Sequence, residues 1–261
     1  MARIRPPAVA GTFYPDDPDE LRRMVRGYLR QADSAGPVPK ALIAPHAGYI
    51  YSGPVAANAY ARLAGAADRI RRVVLLGPSH RVPFRGLAAS SADAFATPLG
   101  EVPLDRPVID ALLSLPQVRL LDEAHAWEHS LEVHLPFLQE VLGDFRLVPL
   151  VVGDATYEEV DGVLERSWDG DETLIVVSSD LSHYHDYATA RRLDAATSQA
   201  IVELRPQDIH YEDACGRIPV GGLLEAARQH HLRGELLDLR NSGDTAGPRD
   251  QVVGYGAYAF A

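Results

Sequence analysis

The sequence predicts an α/β fold with a mixed, mostly parallel sheet and helices on both faces. Short apolar runs alternate with segments of helical periodicity along the chain, which is typical of strand–helix units. The apolar runs lack alternating polar positions, as expected for strands that helices cover on both sides. No repeat, linker or low-complexity tract divides the 261 residues, so we expect residues 1–261 to form a single domain.

The individual elements follow from these patterns. The predicted buried strands are residues 40–45, 72–77, 145–153 and 172–178. The predicted helices are residues 53–63, 131–142, 157–168, 187–204 and 221–231. Residues 86–104 are predicted to form short strands outside the main sheet, joined by turns. The alternating segment 251–260 is a further strand, and we expect it to pair antiparallel at one edge or in the middle.

Charge and composition exclude several classes of protein. The chain has 36 acidic and 25 basic residues and a net charge of −11, which opposes nucleic-acid binding. No apolar run approaches the roughly 18 to 20 residues that span a bilayer. The first residues lack the apolar core of a signal peptide, and the single cysteine, Cys215, fits a reducing compartment. We therefore expect a cytoplasmic protein with no nucleic-acid or membrane partner.

Histidines follow three of the predicted buried strands. His46, His80 and His183 each come one to five residues after an apolar run, in segments rich in Pro, Gly or Ser. The carboxyl ends of parallel strands meet at one edge of a sheet, where ligands bind. Imidazole is the commonest metal ligand and also serves as a general base. Together with the thiol of Cys215, these side chains predict a metal site at that edge.

A second group of histidines leaves alternatives open. His125-Ala-Trp-Glu-His129 matches the H-x-x-E-H pattern of inverted zinc peptidases, with Glu128 as base, and so indicates a zinc hydrolase. His129 and His134 would project about 140° apart on a straight helix, which argues against one shared metal. We predict that His129, His134 and Glu132 line or brace a pocket.

The segment around the cysteine allows two further hypotheses. Arg217–Gly222 leads into a predicted helix, whose free N–H groups are a candidate anion site. A cysteine nucleophile formed by Cys215 and paired with His183 is another alternative.

Six motifs in a fixed order resemble those of a known family. They are Val9–Pro15, Ala44–Tyr49, Gly77–His80, Glu128–Pro136, Ser178–His183 and Cys215–Arg217. Together they resemble the Memo family, whose bacterial and archaeal members carry the label AmmeMemoRadiSam system protein B. The closing strand also fits, so the resemblance covers nearly the whole chain.

The resemblance implies a fold similar to class III extradiol dioxygenases, which use non-haem Fe(II). It places His46, His80 and Cys215 at the metal-ligand positions. His183 matches the position of the catalytic base, and Asp180 is expected to orient it.

The ligand set departs from that of the dioxygenases, which have a carboxylate where this chain has Cys215. A thiolate makes Zn²⁺ or copper more competitive with Fe(II), the expected metal, and it is open to oxidation. Tyr49 and Arg217, in the matched motifs, are expected to lie at the pocket.

Two functions remain open on these grounds. The first is a metal-binding protein that, as an enzyme, would have dioxygenase-like oxidoreductase activity on a small molecule, with aromatic molecules as one candidate class. The second is a non-catalytic module that binds a peptide or partner protein in the same pocket. In that case Arg81, Arg85 and Arg217 would contact an acidic or phosphorylated group.

Overall fold

A mixed β-sheet runs through the protein, and the computed structural model describes residues 2–261. The strands of this range are β1 (Ile4–Arg5), β2 (Ala41–Ala44), β3 (Arg72–Pro78), β4 (Leu87–Ala89), β5 (Ala94–Thr97), β6 (Gly100–Pro103), β7 (Val118–Leu120), β8 (Arg146–Val152), β9 (Thr173–Ser178), β10 (His183–His185), β11 (Gly234–Asn241) and β12 (Val252–Phe260). The helices are α1 (Pro18–Gln31), α2 (Tyr49–Ala61), α3 (Arg106–Leu112), α4 (Asp122–Ala126), α5 (Leu135–Leu142), α6 (Tyr157–Ser167), α7 (Tyr187–Val202), α8 (Arg217–Gln229) and α9 (Ser242–Thr245). Two 3₁₀ turns cover Glu132–His134 and Pro206–Asp208.

Four parallel strands form the centre of the sheet, in the order β2, β9, β3 and β8. On one side, β12 pairs antiparallel with β2, and also with β10 and β11. On the other side, β4 pairs antiparallel with β8, and β7 runs parallel to β4. The predicted α/β fold with a mixed sheet is confirmed, and the closing strand lies inside the sheet rather than at its edge.

The segment predicted to leave the main sheet does so only in part. Strands β5 and β6 form a small sheet with β1, whereas β4 joins the main sheet beside β8. The central strands β2 and β9 are buried along their whole length, in agreement with their apolar sequences, in which only the terminal Thr173 and Ser178 of β9 are polar.

Helix α8 packs closely against α6. A Cβ atom at Gly221 would lie 2.4 Å from the ring of Tyr157, and one at Gly222 would lie 2.4 Å from Val160. The two glycines therefore allow the helices to meet. Because α8 also contacts β3 and β9, this packing fixes where its first turn, next to Cys215, lies against the sheet.

A buried carboxylate anchors the amino-terminal segment. Glu132 accepts a hydrogen bond from Arg5 Nη1 at 2.7 Å, from the N–H of Ala8 at 2.7 Å and from the Tyr14 hydroxyl at 2.5 Å. The side chains of Glu132 and Arg5 are 0 % and 6 % exposed. This pair thus holds the first residues against the 3₁₀ turn that begins at Glu132.

Within the described range, no helix combines the length and the apolar character needed to cross a membrane.

Substituting Glu132→Gln should destabilise the protein strongly, because it leaves the buried Arg5 guanidinium without a counter-charge. Breaking one partner of a buried pair costs about 3–5 kcal/mol, measured as the free energy of unfolding in urea. The control is Glu203→Gln. Its side chain and that of its partner Arg205 are 48 % and 38 % exposed, and it should cost about 1 kcal/mol or less. Equal losses in the two variants would contradict the anchoring role.

Candidate metal centre

Three parallel strands end side by side, and the segments that follow them build the site. Ala44 of β2 is in register with Ser178 of β9, and Leu76 of β3 with Val177. His46 and His80 each lie two residues beyond the end of their strand. Cys215 comes from elsewhere, just before α8. The predicted convergence of the strand ends is therefore observed.

The two histidines and the cysteine face one another. One ligand atom each of His46, His80 and Cys215 lies within 4.8 Å of the other two. His46 Nε2 is 3.3 Å from Cys215 Sγ, and the centres of the two imidazoles are 5.1 Å apart. With metal–nitrogen and metal–sulfur bonds of about 2.0 and 2.3 Å, a tetrahedral ion would separate N and S by roughly 3.5 Å. The donor set therefore fits a transition metal.

Glu128 holds the imidazole of His80. Its Oε1 is 2.9 Å from His80 Nδ1, and its Oε2 accepts the backbone N–H of His80 at 2.6 Å. Oε1 also accepts the N–H groups of His129 and Ser130, at 2.9 Å each. Burial raises the pKa of Glu128, but the hydrogen bonds from His80 and the backbone outweigh it and lower the pKa to about 2. An ionised Glu128 keeps a proton on His80 Nδ1 and leaves Nε2 free to bind a metal.

His46 is buried and neutral. Burial, followed by the charges of neighbouring imidazoles such as His80, holds its pKa well below the usual value for histidine. Its Nδ1 is 2.6 Å from the hydroxyl of Ser178. The ring is therefore also held by Nδ1, with Nε2 directed at Cys215 Sγ.

Cys215 approaches the site because Gly216 follows it. A Cβ atom at Gly216 would lie 2.5 Å from the carbonyl oxygen of Ser178, so only glycine fits there. The N–H of Asp180 donates to Cys215 Sγ at 3.3 Å. Burial, reinforced by the charge of Asp180, raises the pKa of Cys215 to about 12. The side chain is thus a thiol until a metal ion takes the place of its proton.

These properties do not favour a cysteine nucleophile. Nucleophilic cysteines have a lowered pKa, whereas that of Cys215 is raised. Over residues 2–261, the imidazole within hydrogen-bonding distance of Sγ belongs to His46 rather than His183.

His183 and Asp180 lie at the same edge of the sheet. His183 begins β10 and is partly buried, and burial lowers its pKa. Asp180 Oδ1 accepts the N–H of His46 at 2.7 Å, and burial raises the pKa of Asp180 to about 7. Asp180 therefore contacts the backbone of His46, a candidate ligand. No hydrogen bond within the described residues joins it to His183.

His129 lies beside the candidate ligands. Its ring stacks on His80 at 4.7 Å and lies 5.5 Å from His46. Burial, followed by the charge of His80, lowers its pKa to about 4. His80, Glu128 and His129 also have ligand atoms within 4.8 Å of one another, but Glu128 already accepts four hydrogen bonds. His129 therefore lines the site as a neutral imidazole.

The other residues predicted for the pocket make contacts elsewhere. Tyr49 is buried and donates to the carbonyl of Val133 at 2.6 Å. Arg217 Nη1 donates to the hydroxyl of Tyr157 at 3.0 Å. Glu132 anchors the amino-terminal segment, as described above.

The zinc-hydrolase hypothesis built on His125 and His129 is wrong. Helix α4 ends at Ala126, so the two imidazoles do not share a helix face. His125 Nε2 is 2.9 Å from the carbonyl of Ala88, and its ring packs on Phe95. His125 belongs to none of the groups that could hold a metal within residues 2–261.

The sequence did not identify the partners of the two imidazoles. The zinc pattern predicts a base at Glu128, and Ser178 stands in one of the six motifs with no individual role. Both lie inside the matched motifs, and Ser178 ends a buried strand. Position alone did not say which ring each would contact.

A cleft opens beside the cysteine. Its cavity volume is about 540 Å³. Among its lining residues are Pro78, Phe84, Arg85, Tyr211, Cys215 and Ile218.

Comparisons with known proteins agree with the motifs and the fold. The model of the family described as "Memo-like protein" matches residues 5–259. A MEMO1 family protein of Aquifex aeolicus is 37 % identical over 97 % of both chains. A MEMO1 family protein of Aeropyrum pernix is 38 % identical over 98 % of this chain and 99 % of its own. The crystal structure of an uncharacterised Escherichia coli K12 protein, JW3007, covers 84 % of this chain and 98 % of its own, with a TM-score of 0.55 and 15 % identity. That likeness shows a shared fold.

Substituting Gly216→Ala should weaken metal binding about 10- to 100-fold, the usual cost of disturbing the support of a ligand. The new methyl group would collide with the carbonyl of Ser178 and displace Cys215. Competition with a chromogenic chelator for Zn²⁺ measures the affinity. Gly27→Ala is the control, since a Cβ there meets nothing within 4 Å. An unchanged affinity in Gly216→Ala would show that the close approach is irrelevant to the site.

Proposed function

The chain belongs to the Memo-like protein family, and on this premise we propose that it binds a divalent transition metal through His46, His80 and Cys215. One observation carries the proposal. Three ligand atoms from three separate segments converge, and both imidazoles have their Nδ1 atoms engaged. A site supported in this way needs little rearrangement to bind a metal.

We propose Fe(II) as the metal, with Zn²⁺ and copper as competitors favoured by the soft thiolate. Three protein ligands leave coordination positions open to other molecules. A bound iron would supply Lewis-acid and redox chemistry at this edge of the sheet.

The activity proposed is dioxygenase-like redox chemistry on a small, aromatic molecule. The proposal includes a fold similar to class III extradiol dioxygenases, with helices on both faces of the sheet. Cys215 also lines a cleft of about 540 Å³, within the usual range of small-molecule pockets, whereas His46, His80 and His183 do not line it. His183, whose pKa burial lowers, would accept the proton of a substrate hydroxyl.

A second candidate is a non-catalytic module that binds a peptide or partner protein. It is favoured by the exposed Tyr211 and Arg85, which line the same cleft. Tyrosine and arginine are enriched at the energetic centres of protein interfaces.

Metal content tests the ligand assignment. Purified without oxygen, the wild type should carry Fe, Zn or Cu, and the variants His46→Ala, His80→Ala and Cys215→Ser should lose most of it. Elemental mass spectrometry measures the stoichiometry. His125→Ala should retain its metal, since His125 bonds to Ala88 outside the site. Unchanged metal content in all three ligand variants would refute the assignment.

Turnover separates the two candidate functions. With iron bound, the wild type should convert a catechol under oxygen, seen as a new absorbance. His183→Ala should keep its metal and lose about 10²- to 10⁴-fold in rate, the usual contribution of a general base. A metal-replete wild type that is silent with every catechol tested would count against the enzyme and favour the binding module.

A further inference from the structure

A network of buried side chains connects helix α2 to His46. The Tyr60 hydroxyl is 2.6 Å from His134 Nδ1, and His134 Nε2 is 2.8 Å from Ser178 Oγ. Ser178 Oγ is in turn 2.6 Å from His46 Nδ1. Each of these residues is at most 2 % exposed. We call Tyr60, His134 and Ser178 the Ser178 network.

A single carbonyl group sets the direction of every hydrogen bond in the network. Ser178 Oγ also lies 2.6 Å from the carbonyl oxygen of Ser130. A carbonyl oxygen only accepts, so the one proton of the Ser178 hydroxyl must point at it. The two remaining lone pairs of Ser178 then accept from the two imidazoles. Any other arrangement would bring two lone pairs together at 2.6 Å.

The tautomers of both histidines follow from this direction. His46 must carry its proton on Nδ1, which leaves the lone pair of Nε2 facing Cys215 Sγ at 3.3 Å. His134 must carry its proton on Nε2, so its Nδ1 accepts the hydrogen bond of Tyr60. Each side-chain polar atom of Tyr60, His134 and Ser178, and Nδ1 of His46, then has a hydrogen-bond partner.

We propose that Ser178, oriented by the Ser130 carbonyl, is a positioning residue that fixes the tautomer and ring orientation of His46, and that it sets the tautomer of His134 in the same way. The role of Ser178 toward a metal rests on the proposed function, whereas the tautomers themselves do not. His80, with 29 % of its side chain exposed, is held by a carboxylate. His46 is buried and is held by the neutral hydroxyl of Ser178 instead.

Nitrogen-15 spectra of histidine-labelled, metal-free protein test the proposal. The wild type should show His46 protonated on Nδ1 and His134 protonated on Nε2, with assignments from His46→Ala and His134→Gln. Ser178→Ala should leave His46 in a mixture of tautomers. Tyr60→Phe should shift only the Nδ1 resonance of His134. Tyr258→Phe, which removes a buried hydroxyl outside the network, should change neither ring.

Zinc affinity gives the second readout. Ser178→Ala should bind Zn²⁺ about 10- to 100-fold more weakly than the wild type, and Tyr258→Phe equally well. The proposal is overturned if the wild type shows His46 protonated on Nε2 or His134 on Nδ1, or if Ser178→Ala keeps both tautomer and affinity. If Ser178→Ala does not fold, the tautomers of His46 and His134 in the wild type and in Tyr60→Phe decide whether the proposal holds. The expected tautomers in a protein that binds no metal would support the network and refute the proposed function.

Discussion

The parallel pairing of β9 with both β2 and β3 is the constraint on which the rest of the site depends. It places the last residues of three strands side by side, so that short segments bring distant parts of the sequence together. His46 and His80 need no long loop to meet, because the backbone hydrogen bonds of the sheet position them. The remaining ligand candidate, Cys215, comes from outside these strands, and a glycine lets it approach the end of β9.

Gathering imidazoles at one edge has an electrostatic consequence. Burial, and then mutual repulsion of the protonated forms, lowers the pKa of His46 and of His129. Neutral imidazole is the form that binds metals, so the packing that makes the edge compact also prepares it for a cation. The carboxylate of Glu128 lies next to this cluster and is kept ionised by donors from His80 and the backbone.

Local sequence patterns predicted the strands that position the site, because buried parallel strands have an apolar composition that needs no tertiary information. They also predicted that His46 and His80 would meet, since the geometry of parallel sheets is general. Local sequence patterns could not predict the hydrogen-bond partners of the site residues. Glu132 lies in a histidine-rich motif and resembled a pocket residue, yet its carboxylate binds Arg5 and the backbone near it. Such a pairing spans more than a hundred residues of chain and leaves no local signal. The prediction that His125 and His129 share a helix was wrong for a similar reason. Helix α4 has only five residues, which are too few to set a helical period in the sequence.

The segment from Glu128 to His134 connects three parts of the molecule. Glu128 holds His80, Glu132 holds the amino-terminal segment, and His134 contacts Ser178. Loops usually tolerate changes of length, but in this one an inserted or deleted residue would misplace at least one of the three side chains. The spacing within this heptapeptide is therefore as strictly determined as the identity of its residues, and successful grafts or chimaeras of the fold would have to transfer it intact together with all three of its contacts.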